Sequence, residues 1–363
     1  MFYQNIPLIN LFKQLINVKI KAMQYIKTYL NRSAKQDCRT HLSVIVTFFN
    51  HVNIVVNVLE GITESIKHNY ELIIINDGST DSTHQVIKSF LEKSSFPDNL
   101  LAIRYIKHKI SKFETKCDNL GAKIARGKYL FFIQGDMALK DSGLDLRLIS
   151  ILESDNRIGA ISGHSVHCRS SEETINKWKV SRGTAFKLRK LRKTSIKEFG
   201  AKYKKLNVIH IERYHSSDNL EITFKKFRSI YYNDTKSGLD KTLLDKNIIF
   251  IGKYINRGPI LIEKKYFNYL GMYKNHIYFQ GFDDIDLSLE ICKDGKVVGF
   301  SPVNYISQID WGAGLRKKSW LMILNIFVQV LKRRRNHKYS LLLDESLVSK
   351  EHPLYGEILV VKN

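Results

Sequence analysis

The sequence predicts an α/β fold built on a doubly wound, mostly parallel sheet flanked by helices. Three observations carry this. Largely apolar runs of strand length, at 43–49, 72–75 and 129–133, the last without a break, fit strands buried on both faces of a parallel sheet. The segments between them place apolar residues at helical spacing. The first two runs and the helical segment joining them occupy about 35 residues, the size of a βαβ unit with a right-handed crossover.

Taken in order, residues 1 to about 40 read as helix. Leu8, Leu11, Phe12, Leu15 and Ile16 follow helical spacing with lysines between them. Such a segment suits either a surface helix packed on the domain or a basic amphipathic helix lying on an anionic membrane surface. The run from Ser43 to Phe49 reads as a buried strand ending at Asn50. Ile54, Val55, Val58, Leu59, Ile62 and Ile66 then mark a helix. A second strand at 72–75 ends in Asn76-Asp77-Gly78-Ser79-Thr80-Asp81, and Thr80 or Asp81 suits the cap of the helix that follows. Residues 100–106 form a third strand, 119–126 a short helix stopped by Gly127, and 129–133 a fourth strand ending in Gln134-Gly135-Asp136. Periodicity alone does not separate this last run from a buried helix. Ligands of open α/β sheets bind beyond the carboxyl ends of the strands, which puts Asp136 where a metal-bound phosphate would sit.

The composition of the 363 residues suits one large α/β domain or two smaller ones, with 44% hydrophobic residues to fill a core. A net charge of +23 favours polyanionic partners: nucleic acid, anionic lipid or phosphorylated substrates. The four cysteines, Cys38, Cys117, Cys168 and Cys292, form no CxxC pair, which suits a reducing intracellular compartment. Lys13, Lys19, Lys21 and Lys27 interrupt the N-terminal apolar residues, so a signal peptide is not expected. No stretch reaches the ~20 apolar residues that span a bilayer. The expected location is cytoplasmic, with peripheral attachment to the inner face of a membrane as a further expectation.

Four motifs carry a resemblance. Ser43-Val44-Ile45-Val46 through Asn50, then 76–81, then Asn119-Leu120-Gly121 with Ala125-Arg126-Gly127, then Gln134-Gly135-Asp136 resemble the successive motifs of the family 2 glycosyltransferases. Residues 254–261, 270–273, 282–287 and 295–302 extend the match across about 43–314. The resemblance implies the GT-A fold, a nucleotide-sugar donor and inversion at the transferred sugar. The chain divides accordingly into a helical extension (1–40), a transferase domain (41–315) and a basic, apolar tail (316–363). Within the domain, 41–140 is the nucleotide-binding half and 141–315 the acceptor half. The acceptor half includes a basic, largely helical insertion at about 165–247, read as a solvated face or as a site for an anionic acceptor or lipid headgroups.

By that resemblance, Thr47, Phe48, Asn50, Asp77, Asn119, Gly121, Gln134, Gly135 and Asp136 hold the nucleotide-sugar, with a UDP-sugar favoured. Asp77 accepts from a uracil-type imide, and Phe48 or Phe49 packs on the base. The alternative for Asp77 is a turn-capping residue before Gly78. Asp136 and Asp310 are the expected ligands of Mn2+ or Mg2+, hard ions that take oxygen donors. Asp284 is the expected catalytic base with Asp283 beside it, and Arg257, Gly258, Asp286 and Trp311 face the acceptor, a glycan or lipid-linked glycan. On a helix Asp283 and Asp286 share a face while Asp284 points elsewhere. The alternative for all three is helix N-terminal acids complementing the dipole.

The chain departs from the family's pattern at several points. Gln134 stands for the first carboxylate of Asp-x-Asp, and Asn76 for the first Asp of its motif. Thr47 stands for a proline, Asp118 and Glu290 for arginines, and Asp310 for a histidine. Three competing readings follow. A nucleotidyltransferase would carry a Gly-rich loop at 47–51, which has no glycine. A nucleic-acid-binding protein would explain the charge, but the basic residues belong to no recognised motif, and no nucleic-acid partner is expected. A degenerate, nucleotide-binding transferase is kept open by the missing carboxylate. His164, His167 and Cys168 read as structural for want of a second cluster.

Overall fold

The computed structural model describes residues 25–30, 39–92, 95–167, 229–231, 248–252, 254–255, 257–274, 283–301, 303–307 and 358–360. The parallel heart of the fold is four strands: β2 (Leu42–Phe48), β3 (Tyr70–Asn76), β4 (Leu100–Lys107) and β5 (Tyr129–Gln134). They lie in the order β4-β3-β2-β5, every neighbour parallel. The chain therefore moves outward from β2 through β3 to β4, then returns to β2's other side at β5. That reversal opens a crevice beyond the ends of β2 and β5, where such sheets bind ligands.

Five further strands, in the acceptor half and near the C-terminus, widen the sheet. Beside β5 lies β12 (Ile260–Glu263), antiparallel, followed by β7 (Ile158–Ser162), β13 (Val297–Phe300), β10 (Ile248–Gly252) and β15 (Ile358–Val360). Two small sheets stand apart. One pairs β6 (Met137–Leu139) with β14 (Tyr305–Ser307), and the other holds β8 (Ser165–His167), β9 (Ser229–Tyr231) and β11 (Tyr254–Ile255).

The runs are largely apolar because both faces are covered, and the side-chain period of two sorts them. Val44, Val46, Phe48, Leu72, Ile74, Phe131 and Ile133 face one core. Helices α1 (Val55–Ser65), α2 (Thr83–Leu91) and α4 (Leu144–Ser154) close that side, supplying Val58, Leu59, Ile62, Ile87, Phe90 and Leu148. Ile45, Ile73, Ile75, Leu130 and Phe132 face the other core, under α3 (Glu114–Ile124), α5 (Lys264–Tyr269) and α6 (Asp283–Lys293). Each such aliphatic or aromatic side chain contributes on the order of 1.5–3 kcal/mol by leaving water.

The structure corrects two expectations. Within the segment read as an N-terminal helix, Tyr25–Leu30 is a strand, β1, antiparallel to β4 on the sheet's edge. Its Tyr-Ile-Lys-Thr-Tyr-Leu sequence is rich in strand formers, and the edge of β4 offers it a ladder. Helix α3 begins at Glu114, earlier than the predicted 119, and stops at Ile124 where Ala125 turns to ψ 145°. The cap of α2 falls at Ser82 and not at Thr80 or Asp81, although Asp81 accepts the Thr83 N–H at 2.9 Å just before the helix. The described part of the insertion includes the strand β9. Its other residues from 168 to 228 and 232 to 247, most of the N-terminal extension and most of the C-terminal tail lie outside the described residues. Among the described residues no helix is long and apolar enough to cross a membrane.

Candidate functional site

The crevice is lined by chain ends that the sheet brings together. Phe48 ends β2 and is fully buried, so it belongs to the core and cannot pack on a base; the half-buried Phe49 is the ring left at the strand end. Asn50 follows at φ 56°, a left-handed turn that Asn tolerates. Its side chain accepts from Thr80 N (2.8 Å) and its N–H donates to Ser79 Oγ (3.0 Å), tying the end of β2 to the turn after β3. Asn76, in place of an acid, accepts Ser79 N–H at 2.9 Å and builds that turn as an Asx motif.

Asp77 is buried, and its carboxylate is fully engaged. It accepts from Lys112 N (2.6 Å), Ser111 Oγ (2.6 Å) and Phe113 N (2.9 Å), and also from the Cys117 thiol. Burial raises its pKa to about 6 against the opposing pull of these donors. A carboxylate offers about four acceptor positions, so an imide contact requires one of these partners to give way. Asp77 here fastens the 111–113 loop and the start of α3.

Asn119 and Gly121, expected beside ribose or phosphate, act in packing instead. Asn119 Nδ2 donates to Tyr273 O (2.7 Å) and its Oδ1 accepts Tyr273 N (3.0 Å). A Cβ on Gly121 would stand 2.6 Å from Ile45 Cγ2, so glycine lets α3 lie flat on β2.

At the end of β5, Gly135 passes so close to β2 that a Cβ would meet Thr47 O at 2.4 Å. This seats Gln134 and the half-buried Asp136 at the mouth of the crevice. Gly258, at φ 63°, lies against Gln134 and Met137, where a Cβ would meet Gln134 Cγ at 2.8 Å.

Next to Gly258 stands the feature that sequence reasoning misplaced. Arg257, expected to face the acceptor, is enclosed by carboxylates. It reaches Asp283 (2.7 Å) from α6 and Glu114 (2.5 Å) and Asp118 (2.8 Å) from α3. Its ring neighbour is Tyr273, 5.1 Å from the guanidinium carbon. Burial opposes its charge, but Asp283, Glu114 and Asp118 together push its pKa well above the ordinary arginine value. Burial lifts Asp118 to about 8 and also raises Asp283, with Arg257 opposing both shifts. Thr47 donates to Asp118 at 3.3 Å. The cluster explains Asp118 standing where an arginine was expected, since Arg257 supplies the cation from across the crevice. A signal existed: Glu114 and Asp118 lie four apart on one helix face, a like-charge pair that needs a cation between.

The acids of α6 divide as their spacing predicts. Asp283 and Asp286 point inward, 1% and 2% exposed, while Asp284 is half-buried. Asp284 Oδ2 accepts the Arg257 backbone N–H at 2.8 Å, which fixes its rotamer beside the cluster. Asp286 does not face an acceptor: it pairs with Lys274 at 3.3 Å, and burial raises its pKa to about 6. His164 is structural, its ring bonded to the Tyr305 hydroxyl. Asp310, Trp311 and Cys168 lie outside the described residues.

The donor set around the crevice is oxygen-rich. Three carboxylates meet one guanidinium, Gln134 Nε2 lies 3.5 Å from Glu114 Oε1, and Asp136 and Asp284 add to the acids nearby. Surplus carboxylate suits a hard divalent cation, with the His51 imidazole beside Gly135 and the Met137 sulfur beside Gly258 as the other donors at the strand ends.

Residues 43–213 match the family described as glycosyl transferase family 2. An uncharacterized glycosyltransferase of Rickettsia bellii is 33% identical over 144 residues, 39% of this chain and 19% of that protein. The dolichyl-phosphate beta-glucosyltransferase of Dictyostelium discoideum is 30% identical over 142 residues, 36% of this chain and 42% of that protein. The chain thus spans less than half the length of either relative. Among solved structures, a Pyrobaculum calidifontis mannosyltransferase in complex with GDP-Man and Mn2+ is 14% identical, with a TM-score of 0.47 over 96% of this chain and 73% of that one. The expected α/β sheet of the GT-A kind, parallel at its centre and flanked by helices, is what the chain folds into.

Proposed function

We propose that this chain is an inverting family 2 glycosyltransferase that moves a sugar from a nucleotide-sugar, a UDP-sugar by preference, to a hydroxyl of a glycan or lipid-linked glycan acceptor in surface polysaccharide synthesis. One observation carries the reading. The segment Arg257-Gly258 touches both halves of the crevice, Gln134 at the end of β5 and Asp284 at the start of α6. This supports reading the donor side and the candidate base as neighbours across one short segment.

In this mechanism the acceptor oxygen attacks the anomeric carbon from the face opposite the leaving group. A new C–O bond forms, the bond to phosphate breaks, and its electron pair leaves with the nucleoside diphosphate. Asp284 takes the acceptor's proton, being the half-buried member of the Asp283, Asp284 and Asp286 group. The backbone N–H of Arg257 keeps its carboxylate aimed. Phe49 and the 76–81 turn lie on the base side, and Gln134 hydrogen-bonds the ribose or the sugar. Mn2+ or Mg2+ held by Asp136, with Asp310 as the second expected ligand, would neutralise charge on the departing diphosphate.

The test is calorimetric binding of UDP, GDP and dTDP, each with and without Mn2+, to the protein and to Asp136→Asn. Metal-dependent binding of one nucleotide, lost in the variant, is the expected result and identifies the donor class. Tight binding indifferent to metal and to the substitution would favour a nucleotide-binding protein without turnover. Absence of nucleotide binding, beside salt-sensitive binding to RNA, would overturn the reading.

A further inference from the structure

The geometry points to a second cation site, formed by Asp77, His108 and Cys117, that takes a borderline-soft divalent ion of the Zn2+ class. Its donors differ in kind from the oxygen-rich crevice. One carboxylate oxygen, one imidazole nitrogen and one sulfur lie within 4.8 Å of one another, and all three residues are buried. They come from three elements that the sheet sets side by side. Asp77 follows β3 and His108 follows β4, joined by the bond from His108 N to Asn76 O at 2.9 Å. Cys117 lies in the first turns of α3 above them.

Two features mark the cluster as more than a packed polar contact. His108 is 6% exposed, yet its Nε2 has no hydrogen-bond partner among the described residues. Buried polar nitrogens are rarely left so, and an imidazole nitrogen without a proton partner is a ready metal ligand. Asp77 is also oriented as ligating carboxylates are. Ser111 Oγ and the backbone N–H groups of Lys112 and Phe113 hold it from behind, while its remaining acceptor position goes to the Cys117 thiol.

Size and chemistry agree. Around a tetrahedral zinc ion with bonds of about 2.0–2.3 Å, ligand atoms stand roughly 3.3–3.8 Å apart, so each donor needs to move by about an ångström or less. Binding replaces one bond with others in a balanced way. The Cys117 S–H proton, now shared with Asp77, leaves to water, and the ion takes its place between the sulfur and the carboxylate, with a His108 ring nitrogen as third ligand. Three protein ligands leave a fourth position for water. Such an ion would pin the 76–81 turn to the 108–113 loop and to α3, making it a brace under the nucleotide side of the fold. Mn2+ and Mg2+ prefer oxygen donors and are poor competitors here.

The full-length protein, stripped with a chelator and free of nucleotide, is titrated with Zn2+ against a chromogenic competitor and with Co2+ under reducing conditions. One equivalent of each is expected, with the thiolate-to-cobalt charge-transfer absorption that only a sulfur ligand produces. Cys117→Ser should abolish that absorption. His108→Gln should weaken Zn2+ binding by about tenfold or more. Excess Mn2+ should not displace the ion. Because both substitutions are buried and risk misfolding, X-ray absorption at the zinc edge of the wild type gives the ligand count directly, with one sulfur expected. Absence of stoichiometric uptake by the wild type, a bound ion without sulfur, or a cobalt band that survives in Cys117→Ser would overturn the proposal. Since no nucleotide is present, either result leaves the transferase reading to its own test.

Discussion

Helix α3 ends in two buried charge clusters of opposite design. Near its C-terminal end, Glu71 meets Arg104 at 3.0 Å, accepts from Ser43 Oγ at 2.7 Å and receives the Arg126 N–H. Arg104 spends another N–H on Ile124 O at 3.0 Å. One carboxylate faces one guanidinium, and the remaining bonds go to backbone and hydroxyl groups. At its N-terminal end, Glu114 and Asp118 share Arg257 with Asp283, three acids to one cation. The first arrangement neutralises itself and closes the starts of the strands. The second sets three acids against one cation at the ends of the strands, where burial holds the Asp118 proton up to a pH of about 8. Balanced burial marks a structural cluster, and unbalanced burial marks a candidate site.

The comparison is broken most forcefully at the two arginines. Arg257→Leu strips from three acids the one guanidinium that they meet among the described residues and should cost about 3–5 kcal/mol of stability, the usual cost of breaking a buried ion pair. It should also remove transferase activity, because the backbone that aims Asp284 is then unsupported. Arg104→Leu leaves a single carboxylate still bonded to Ser43 and Arg126, so its cost should be smaller and activity should persist. Denaturant unfolding beside a turnover assay separates the two. Equal costs with equal activity loss would mean that the two clusters do the same job.

A sharper contrast lies within α6. Asp284→Asn preserves shape and should lower kcat by roughly 10²–10⁴ while leaving stability nearly unchanged. Asp283→Asn removes a buried partner of Arg257 and should lower stability first. If Asp283→Asn alone abolished turnover without destabilising the fold, the roles of base and support would have to be exchanged.

Much of this is legible in the sequence. The largely apolar runs mark buried strands, and the spacing of Asp283, Asp284 and Asp286 separates the inward acids from the half-buried one. Other features are hidden because they depend on distant pairing. Tyr25–Leu30 becomes a strand only because β4 presents an open edge. Asn119 matches a nucleotide motif in sequence, yet its amide is taken by Tyr273, 154 residues away. Phe48 and Phe49 are equivalent as letters, and only the alternation along β2 decides which one the core claims. Arg257 stands beside the glycine of a motif, and its three partners come from two helices that nothing local connects.

The smallest effect is the most specific, because it reads the Asp118 proton itself. Asp118 titrates at about 8 in the folded protein, above its unfolded value of about 3.9. A raised carboxyl favours the folded state while it is protonated, so its contribution is present at low pH and is lost as pH rises through 8. Below pH 7 this trend is masked. Burial lowers His51 and His108 to about 4, so these groups favour the folded state as pH rises toward their unfolded values. Asp77 and Asp286, both near 6, have also finished titrating by then. The groups facing Asp118 are Arg257, Glu114, Asp283 and Thr47. Arg257 stays charged throughout, and the Cys117 and Tyr273 pKa values are pushed well above their ordinary values. Between pH 7 and 9 the wild type should therefore lose on the order of 1–2 kcal/mol, seen as a fall of a few degrees in Tm. Asp118→Asn should flatten that slope, whereas Glu71→Gln should leave it intact even if the whole curve drops. Parallel curves for wild type and Asp118→Asn would mean that Asp118 is already ionised at neutral pH and that burial does not hold its proton, and the distinction between the two ends of α3 would reduce to geometry.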